Sequence, residues 1–346
     1  MESRRYKIGI IGCGYWGPNL VRNFSQNPDV EEVVCCDLNE DRLKQMKLLF
    51  NNVTTTTNYK ELLNSDTDAI VIATPVATHY KLAKESLEHG KPVLVEKPIT
   101  KSSSEALDLI KTAEKAGKAL MVDHTFEYAV SVRKVKELIA KKELGRIFNI
   151  NVTRINLGLF QKDVNVVWDL VPHDISMLRF ILGKEPISVR AFAESHVMPN
   201  NHDTAYLLLK FPDNIMAHLH ASWLSPRKIR EVTIIGSDKM LVYDDVSQNE
   251  KIRIYDKSVS IENYRFPSEK YYGSFGDFQL LYRSGDIHIP KLDDGEPLKE
   301  VCGHFIECIK TGKKPLSDGY SGYMVTRVIE AAQQSLERNG DEVLLK

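Results

Sequence analysis

Four short runs in this chain combine residue types and spacings that chemistry can use: Gly12-Cys13-Gly14-Tyr15-Trp16-Gly17, Ala73-Thr74-Pro75 with His79 a turn later, Glu96-Lys97-Pro98, and Asp169-Leu170-Val171-Pro172-His173. An imidazole titrates near neutral pH, so His173 suits taking the proton of a hydroxyl, or returning it in the reverse direction. Lys97 supplies an ammonium donor where alkoxide charge develops, or passes the proton itself. Asp169 lies four residues before His173. On a helix the two project about 40° apart, opposite an apolar stripe of Val171, Ile175, Leu178 and Leu182. The carboxylate is then placed to orient the imidazole or to bind a substrate hydroxyl. Taken singly, each residue has a plainer reading: Asp169 as a helix N-cap with Pro172 in the first turn, His173 as a structural histidine, Lys97 as a solvated strand end. Pro98 makes Lys97 extended, and a cis bond there would aim it.

The glycine run has a physical logic of its own. KIGII, residues 7–11, reads as a strand, and Trp16, Leu20, Val21 and Phe24 follow at helical spacing. Gly12 allows the tight turn, Gly14 a close backbone approach to a pyrophosphate, and Gly17 close packing of helix on strand. Pro18 fits a first helical turn. Free N–H groups at that helix start attract phosphates. Asp37 ends the next apolar run, VVCCD, twenty residues after Gly17. Together these form the dinucleotide fingerprint. A carboxylate there accepts from ribose hydroxyls and repels a 2′-phosphate, which favours NAD over NADP, although Arg42 one turn on partly offsets the repulsion. Thr74, Pro75, His79, Glu96 and Lys97 fall at the ends of later strands, on the same sheet edge. With Gly12, Gly14, Tyr15, Trp16, Gly17 and Asp37 they form the expected cofactor set.

The elements that must position these groups change character along the chain. At 346 residues two domains are the default. Up to about residue 124 strands alternate with helices, which implies a parallel sheet covered on both faces. Ser102 and Glu105 are spaced as a capping box, and Gly90 and Gly117 end helices. After that come a helix near 129–141, a long strand IFNINVTRINLG, and a helix from about Asp169. Strand-like runs follow, SVRAFAE through KIRIYD, joined by turns such as Pro212-Asp213-Asn214. Residues 299–338 return to helix. The expected fold class is α/β: an NAD(P)-binding parallel sheet over 1–124, and an α+β substrate-binding and oligomerisation domain over 125–346 on an open, mostly antiparallel sheet. Arg154 and Asn156 point to one face of the long strand and are candidate substrate contacts with Lys97, Asp169 and His173.

The glycine fingerprint, ATPxxxH, EKP and DxxxH, in this order and spacing, resemble the glucose–fructose oxidoreductase / inositol dehydrogenase / rhizopine-catabolism (Gfo/Idh/MocA) family over nearly the whole chain. The resemblance implies a Rossmann domain, a second domain on an open antiparallel sheet, and hydride transfer at a sugar or cyclitol carbinol. The runs GYWGPNL, HTFEY, NLGLF, VNVVWDL and SWLSP are similar to a branch acting at carbon 3 of nucleotide-linked sugars in surface-polysaccharide and amino-sugar biosynthesis. There are departures: Val166, Val167 and Pro172 stand where glycines are frequent, as does Asp123. The alternatives are a free-sugar or inositol-type dehydrogenase, and a non-catalytic NAD(P)-dependent sensor, which needs the glycines and Asp37 but not Lys97, Asp169 and His173 together.

Bulk properties narrow the partners. Lys plus Arg is 46 and Asp plus Glu is 47, a net charge of −1. The balance gives no sign of nucleic acid or an anionic membrane. No apolar run is long enough to span a bilayer, and the N-terminal apolar run is broken by the glycine turn. Five cysteines without metal-ligand spacing read as free thiols of a cytoplasmic protein. His218, His220 and Ser222 share a strand face, better explained as sheet surface or subunit interface than as a metal site. Arg227, Lys228 and Arg230 read equally as diphosphate contacts or a solvated loop. A large open sheet face implies a homodimer or homotetramer.

Overall fold

The computed structural model describes residues 4–158, 160–259 and 282–345. Leu159 of the NLGLF run lies outside the described residues. The chain forms two compact units, Met1–Ala129 with Gly295–Glu330, and Val130–Asp294 with Ala331–Lys346.

The first unit is built on six parallel strands: β1 (Tyr6–Ile11), β2 (Val30–Cys36), β3 (Val53–Thr56), β4 (Ala69–Ile72), β5 (Val93–Val95) and β6 (Leu120–Val122), in the order β3-β2-β1-β4-β5-β6. Successive strand residues go to opposite faces. Ile8, Ile10, Val71, Leu94 and Met121 join one apolar cluster; Ile70, Ile72, Val93, Val95 and Val122 join the other. Both faces are therefore dry, which is why these strands read as continuous apolar runs. Helices α1 (Gly17–Ser25), α2 (Glu40–Leu49), α3 (Tyr59–Asn64), α4 (His79–Glu88) and α5 (Ser103–Ala116) follow β1 to β5 in turn. Their starts are chemically marked: Asn39 and Asn58 cap α2 and α3, and Ser102 accepts from the Glu105 N–H.

The first unit also takes in Gly295–Glu330 from late in the chain. Helix α8, which follows α6 and α7 of the second unit and spans Pro297–Thr311, places Leu298, Val301, Cys302, Phe305 and Ile306 in the same cluster as Leu20, Phe24 and Ile10. Phe305 meets Phe24 edge-on, ring centroids 6.4 Å apart. The β1 face left open by α1 alone is closed by this late helix. Helix α9 (Gly319–Glu337) belongs to the first unit through Glu330 and to the second from Ala331.

The second unit holds α6 (Val130–Ala140), β7 (Ile147–Ile155), α7 (Val166–Leu182) and the strands β8 (Ser188–Glu194), β9 (Thr204–Lys210), β10 (Met216–Ser222), β11 (Ile229–Gly236), β12 (Met240–Asp244), β13 (Ile252–Val259), β14 (Tyr282–His288) and β15 (Val343–Leu344). Among the described residues the sheet runs β14-β13-β12-β11-β7-β10-β9-β8-β15. Only the β7–β10 pair is parallel. One face is apolar and buried, with Ile150, Val152, Leu207, Leu219 and Ile234, and α7 packs on β9 and β10.

Helix α7 starts at Val166, three residues before the start expected at Asp169. Asn165 is the cap, its side chain accepting from the Val167 and Trp168 N–H groups. Asp169 is thus not the N-cap, and Pro172 lies inside the helix rather than in its first turn. The strand and this helix are locked together by a buried ion pair. Arg154 of β7 donates from Nε at 2.8 Å and Nη2 at 2.6 Å to Oδ1 of Asp174, with both side chains almost fully buried. No helix among the described residues is long and apolar enough to cross a membrane.

Two stability predictions follow from these contacts. Phe305→Ala opens a cavity under β1 and should cost about 3–5 kcal/mol in urea unfolding. Asp174→Asn leaves the Arg154 charge buried and uncompensated and should cost about 3–5 kcal/mol in the same measurement.

Candidate active site

The glycine run owes its shape to two close approaches. A Cβ at Gly17 would stand 2.2 Å from the Gly12 carbonyl oxygen. One at Gly12 would stand 2.5 Å from the Ala73 carbonyl oxygen, and Gly12 has a φ of +101°. Above Gly14 the space is open; the nearest atom to a Cβ there is Arg42 Nη1, 3.8 Å away. Tyr15 is exposed, Trp16 partly so. Helix α1 begins with Trp16 at the cap, no side-chain cap bond, and Pro18 but no acidic residue in its first turn. Pro18 brings no N–H and the Asn19 N–H bonds to the Trp16 carbonyl at 2.9 Å, so the helix start draws an anion chiefly by its partial positive charge.

Asp37 closes the next wall. Its Oδ2 accepts from the Cys13 N–H at 2.7 Å and its Oδ1 from the Asn39 N–H at 2.8 Å. Arg42 Nη1 is 3.6 Å from Oδ2. Two backbone donors fix the carboxylate while its remaining lone pairs stay available to hydroxyl donors. An open cradle over Gly14, an uncapped helix start and a fixed acceptor fit a dinucleotide.

Farther along the same edge, Thr74 Oγ1 contacts Thr78 Oγ1 at 2.7 Å, and Pro75 is exposed. His79 is buried, with Nε2 2.7 Å from the Thr74 carbonyl oxygen and Nδ1 2.9 Å from the Pro98 carbonyl oxygen. Burial pushes the imidazole below its ordinary pKa, and the Lys97 charge adds to that. Its polar atoms are used inside the protein, holding the Thr74 and Pro98 turns to each other. The Lys97–Pro98 bond is cis. Glu96 and Asp123 follow β5 and β6 side by side, the Asp123 N–H bonding to the Val95 carbonyl at 2.9 Å. Burial first, then the Asp123 charge, drives Glu96 well above the carboxylate range. Burial also raises Asp123, against the hydrogen bonds it accepts.

In the second unit Asp169 and His173 lie on consecutive turns of α7. Trp223, itself buried, donates from Nε1 to Asp169 Oδ2 at 3.1 Å. Phe160 meets the Trp223 ring edge-on at 5.3 Å. A Cβ at Gly158 would stand 2.7 Å from Trp223 Cδ1, so the chain can pass the indole only as glycine. His173 is half-buried, its carbonyl accepting from Ser176 Oγ. Asn156 follows β7 and donates its N–H to the Ser222 carbonyl. Arg154, expected to contact substrate, turns two guanidinium nitrogens to Asp174. Asp174 directly follows His173, so the pair ties that turn of α7 to β7.

The structure also gives work to residues the sequence reading passed over. Trp223 was legible only as part of SWLSP, Asp174 had no signal, and Asp123 stood out only as an acid where glycine is frequent. His218 and His220 stack with Tyr206 on the sheet, at 6.0 and 4.4 Å. Arg227 and Lys228 are exposed. No group of three or more His, Cys, Asp or Glu among the described residues is arranged to hold a metal ion.

Comparison with known proteins agrees with this geometry. Residues 6–124 match the family model described as "Oxidoreductase family, NAD-binding Rossmann fold", and residues 132–242 match the GFO/IDH/MocA C-terminal domain. The chain is 23% identical over 345 residues to the myo-inositol 2-dehydrogenase of Thermotoga maritima, covering 96% of each chain. It is similar in fold to the UDP-N-acetylglucosamine 3-dehydrogenase GnnA of Acidithiobacillus ferrooxidans (TM-score 0.79, 20% identity, 96% of this chain and 98% of that one). It is also similar to GenD2 from gentamicin A biosynthesis, solved in complex with NAD (TM-score 0.81, 22% identity, 100% and 98%). With both halves matched by the family's own domain models, the chain belongs to the Gfo/Idh/MocA oxidoreductases, and its first unit is their NAD-binding Rossmann fold.

Proposed function

We propose that the protein transfers hydride between NAD and a secondary alcohol or ketone, at carbon 3, of a nucleotide-linked sugar in surface-polysaccharide or amino-sugar biosynthesis. The carrying observation is the setting of Asp169. The runs that resemble the nucleotide-sugar branch, NLGLF and SWLSP, supply Gly158, Phe160 and Trp223, and Trp223 holds the Asp169 carboxylate one helical turn from His173. The likeness to GnnA, named a UDP-N-acetylglucosamine 3-dehydrogenase, supports the same substrate class. The likeness to a myo-inositol 2-dehydrogenase favours the second reading, a free-cyclitol or free-sugar dehydrogenase.

When bound, NAD supplies the hydride acceptor or donor. His173 takes the hydroxyl proton in oxidation and returns it in reduction. Lys97 donates to the substrate oxygen as negative charge develops there. Asp169, held by Trp223, orients the imidazole or a neighbouring sugar hydroxyl, and Asn156 contacts the sugar. Gly12, Gly14, Tyr15, Trp16 and Gly17 hold the pyrophosphate side of the cofactor, Asp37 its ribose, and Thr74, Pro75, Glu96 and Lys97 its nicotinamide side; His79 acts by joining their turns. Asp37 accepting from both ribose hydroxyls makes NAD preferred over NADP. The protein works in a reducing cytoplasm, where its five buried cysteines stay thiols, as a homodimer or homotetramer joined by the sheet face bearing Phe192, Tyr206 and Met216, all exposed.

A thermal-shift panel of NAD, NADP, nucleotide sugars, myo-inositol and glucose tests the reading, since a true ligand raises the melting point by mass action. Nucleotide sugars should stabilise the NAD complex and change nicotinamide absorbance; a response to myo-inositol or glucose alone would favour the second reading. Asp37→Ala should raise the NAD dissociation constant about tenfold or more and narrow its advantage over NADP, read by calorimetric titration. His173→Ala should lower kcat by about 10²–10⁴-fold, and Lys97→Ala comparably. Unchanged turnover in both variants would leave only a binding role.

A further inference from the structure

Asp123 is buried at the end of β6, on the cofactor edge of the first unit. Its Oδ1 accepts from Thr125 Oγ1 at 2.7 Å, and its Oδ2 lies 3.5 Å from Trp16 Nε1 in the glycine run. The β5–β6 register sets Glu96 beside it: Val95 pairs with Val122, the Asp123 N–H bonds to the Val95 carbonyl at 2.9 Å, and the two buried side chains interact. Two carboxyl groups can hydrogen-bond to each other only if one of them carries a proton. Asp123 already accepts from two other donors, so it is the carboxylate and Glu96 is the acid. The second Glu96 oxygen, Oε1, is buried and has no hydrogen-bond partner within the protein. It is an acceptor kept at a fixed place beside Lys97.

We propose that Asp123 is a positioning residue of the cofactor edge: through one proton shared with Glu96 it fixes the Glu96 side chain beside Lys97 and ties both to Trp16 of the phosphate-binding run. The inference rests on the NAD-linked reading of that edge and on no particular sugar. Like charges this close cannot both ionise at neutral pH, so the pair carries one negative charge. The groups facing it are consistent with that. Lys97 brings the opposing positive charge and favours the ionised form of both carboxyls. Cys302, reaching in from α8, is a thiol pushed far above its ordinary pKa, by burial first and then by Asp123 and Glu96. His124, next along the chain, is buried as well. The shared proton makes a charge-assisted bond, stronger and more directional than one between neutral groups. An unpaired Glu96 would have no comparable restraint.

The test is an infrared titration of the whole protein, following the stretch of the protonated carboxyl group, with NAD affinity measured alongside by calorimetry. The wild type should show a protonated carboxyl at neutral pH, and Glu96→Gln should remove it, which assigns the band. In Asp123→Asn the Glu96 titration midpoint should fall by at least about one pH unit, because the interaction that couples the two groups is gone. The NAD dissociation constant should rise about tenfold with the loss of the restraint. Asp123→Ser provides the same two readings if the asparagine variant does not fold. Absence of the band from the wild type, or a midpoint unmoved in a folded Asp123 variant, overturns the proposal. Neither reading uses a sugar, so a wrong substrate class leaves both intact.

Discussion

The cofactor edge depends on one contact: the carbonyl oxygen of Gly12 occupies the space a side chain at Gly17 would need. This lets helix α1 start directly over the end of β1, with the positive end of its dipole at the edge. The neighbours obey the same constraint. Gly12 takes a backbone conformation that other residues reach only with strain, and its N–H bonds to the Cys36 carbonyl. Cys13 spends its N–H on Asp37. The strand that ends in the glycine turn and the strand that ends in Asp37 are thereby held as one piece. A larger residue at Gly17 would move α1 away, and the positive end of its dipole would go with it.

How much of this was legible in the sequence follows from how local each cause is. The parallel sheet was legible because its strands are buried on both faces, and KIGII, DAIVI and PVLV advertise that by lacking polar alternation. The start of α5 was legible because Ser102 satisfies a donor three residues away. The start of α7 was misjudged because asparagine at 165 and aspartate at 169 are both acceptable caps by type, and only the acceptor's position distinguishes them. The return of α8 to the first unit had no local signal at all. Its apolar stripe of Leu298, Val301, Phe305 and Ile306 says that it must pack on something, and nothing in it says on which of two sheets. The Arg154–Asp174 pair had no local signal either: a strand face does not announce a buried carboxylate twenty residues on.

Both halves of the proposed chemistry carry buried charge, and they handle it differently. The second unit pairs opposite charges: Arg154 and Asp174 are withdrawn from water together. Such a pair adds little net stability against well-packed apolar residues. Its value here is registry. Asp174 is covalently next to His173, so fixing one against β7 fixes the rotation of α7 about its own axis. The Trp223–Asp169 bond fixes the same helix one turn earlier. Two directional contacts five residues apart define a helix's rotation better than its apolar stripe can, because a stripe of Val171, Ile175 and Leu178 tolerates small turns at little cost.

The first unit instead places two like charges together and must therefore keep a proton. An apolar residue at 123 would avoid that difficulty and would also release Glu96, which then has only burial to discourage its ionisation. A basic residue at 123 would neutralise Glu96 but add positive charge beside Lys97, where the ammonium would be disfavoured by repulsion. An aspartate leaves the edge with one delocalised negative charge against one ammonium, near electrical balance. That balance explains why a position where a glycine would suffice for the backbone carries an acid in this chain.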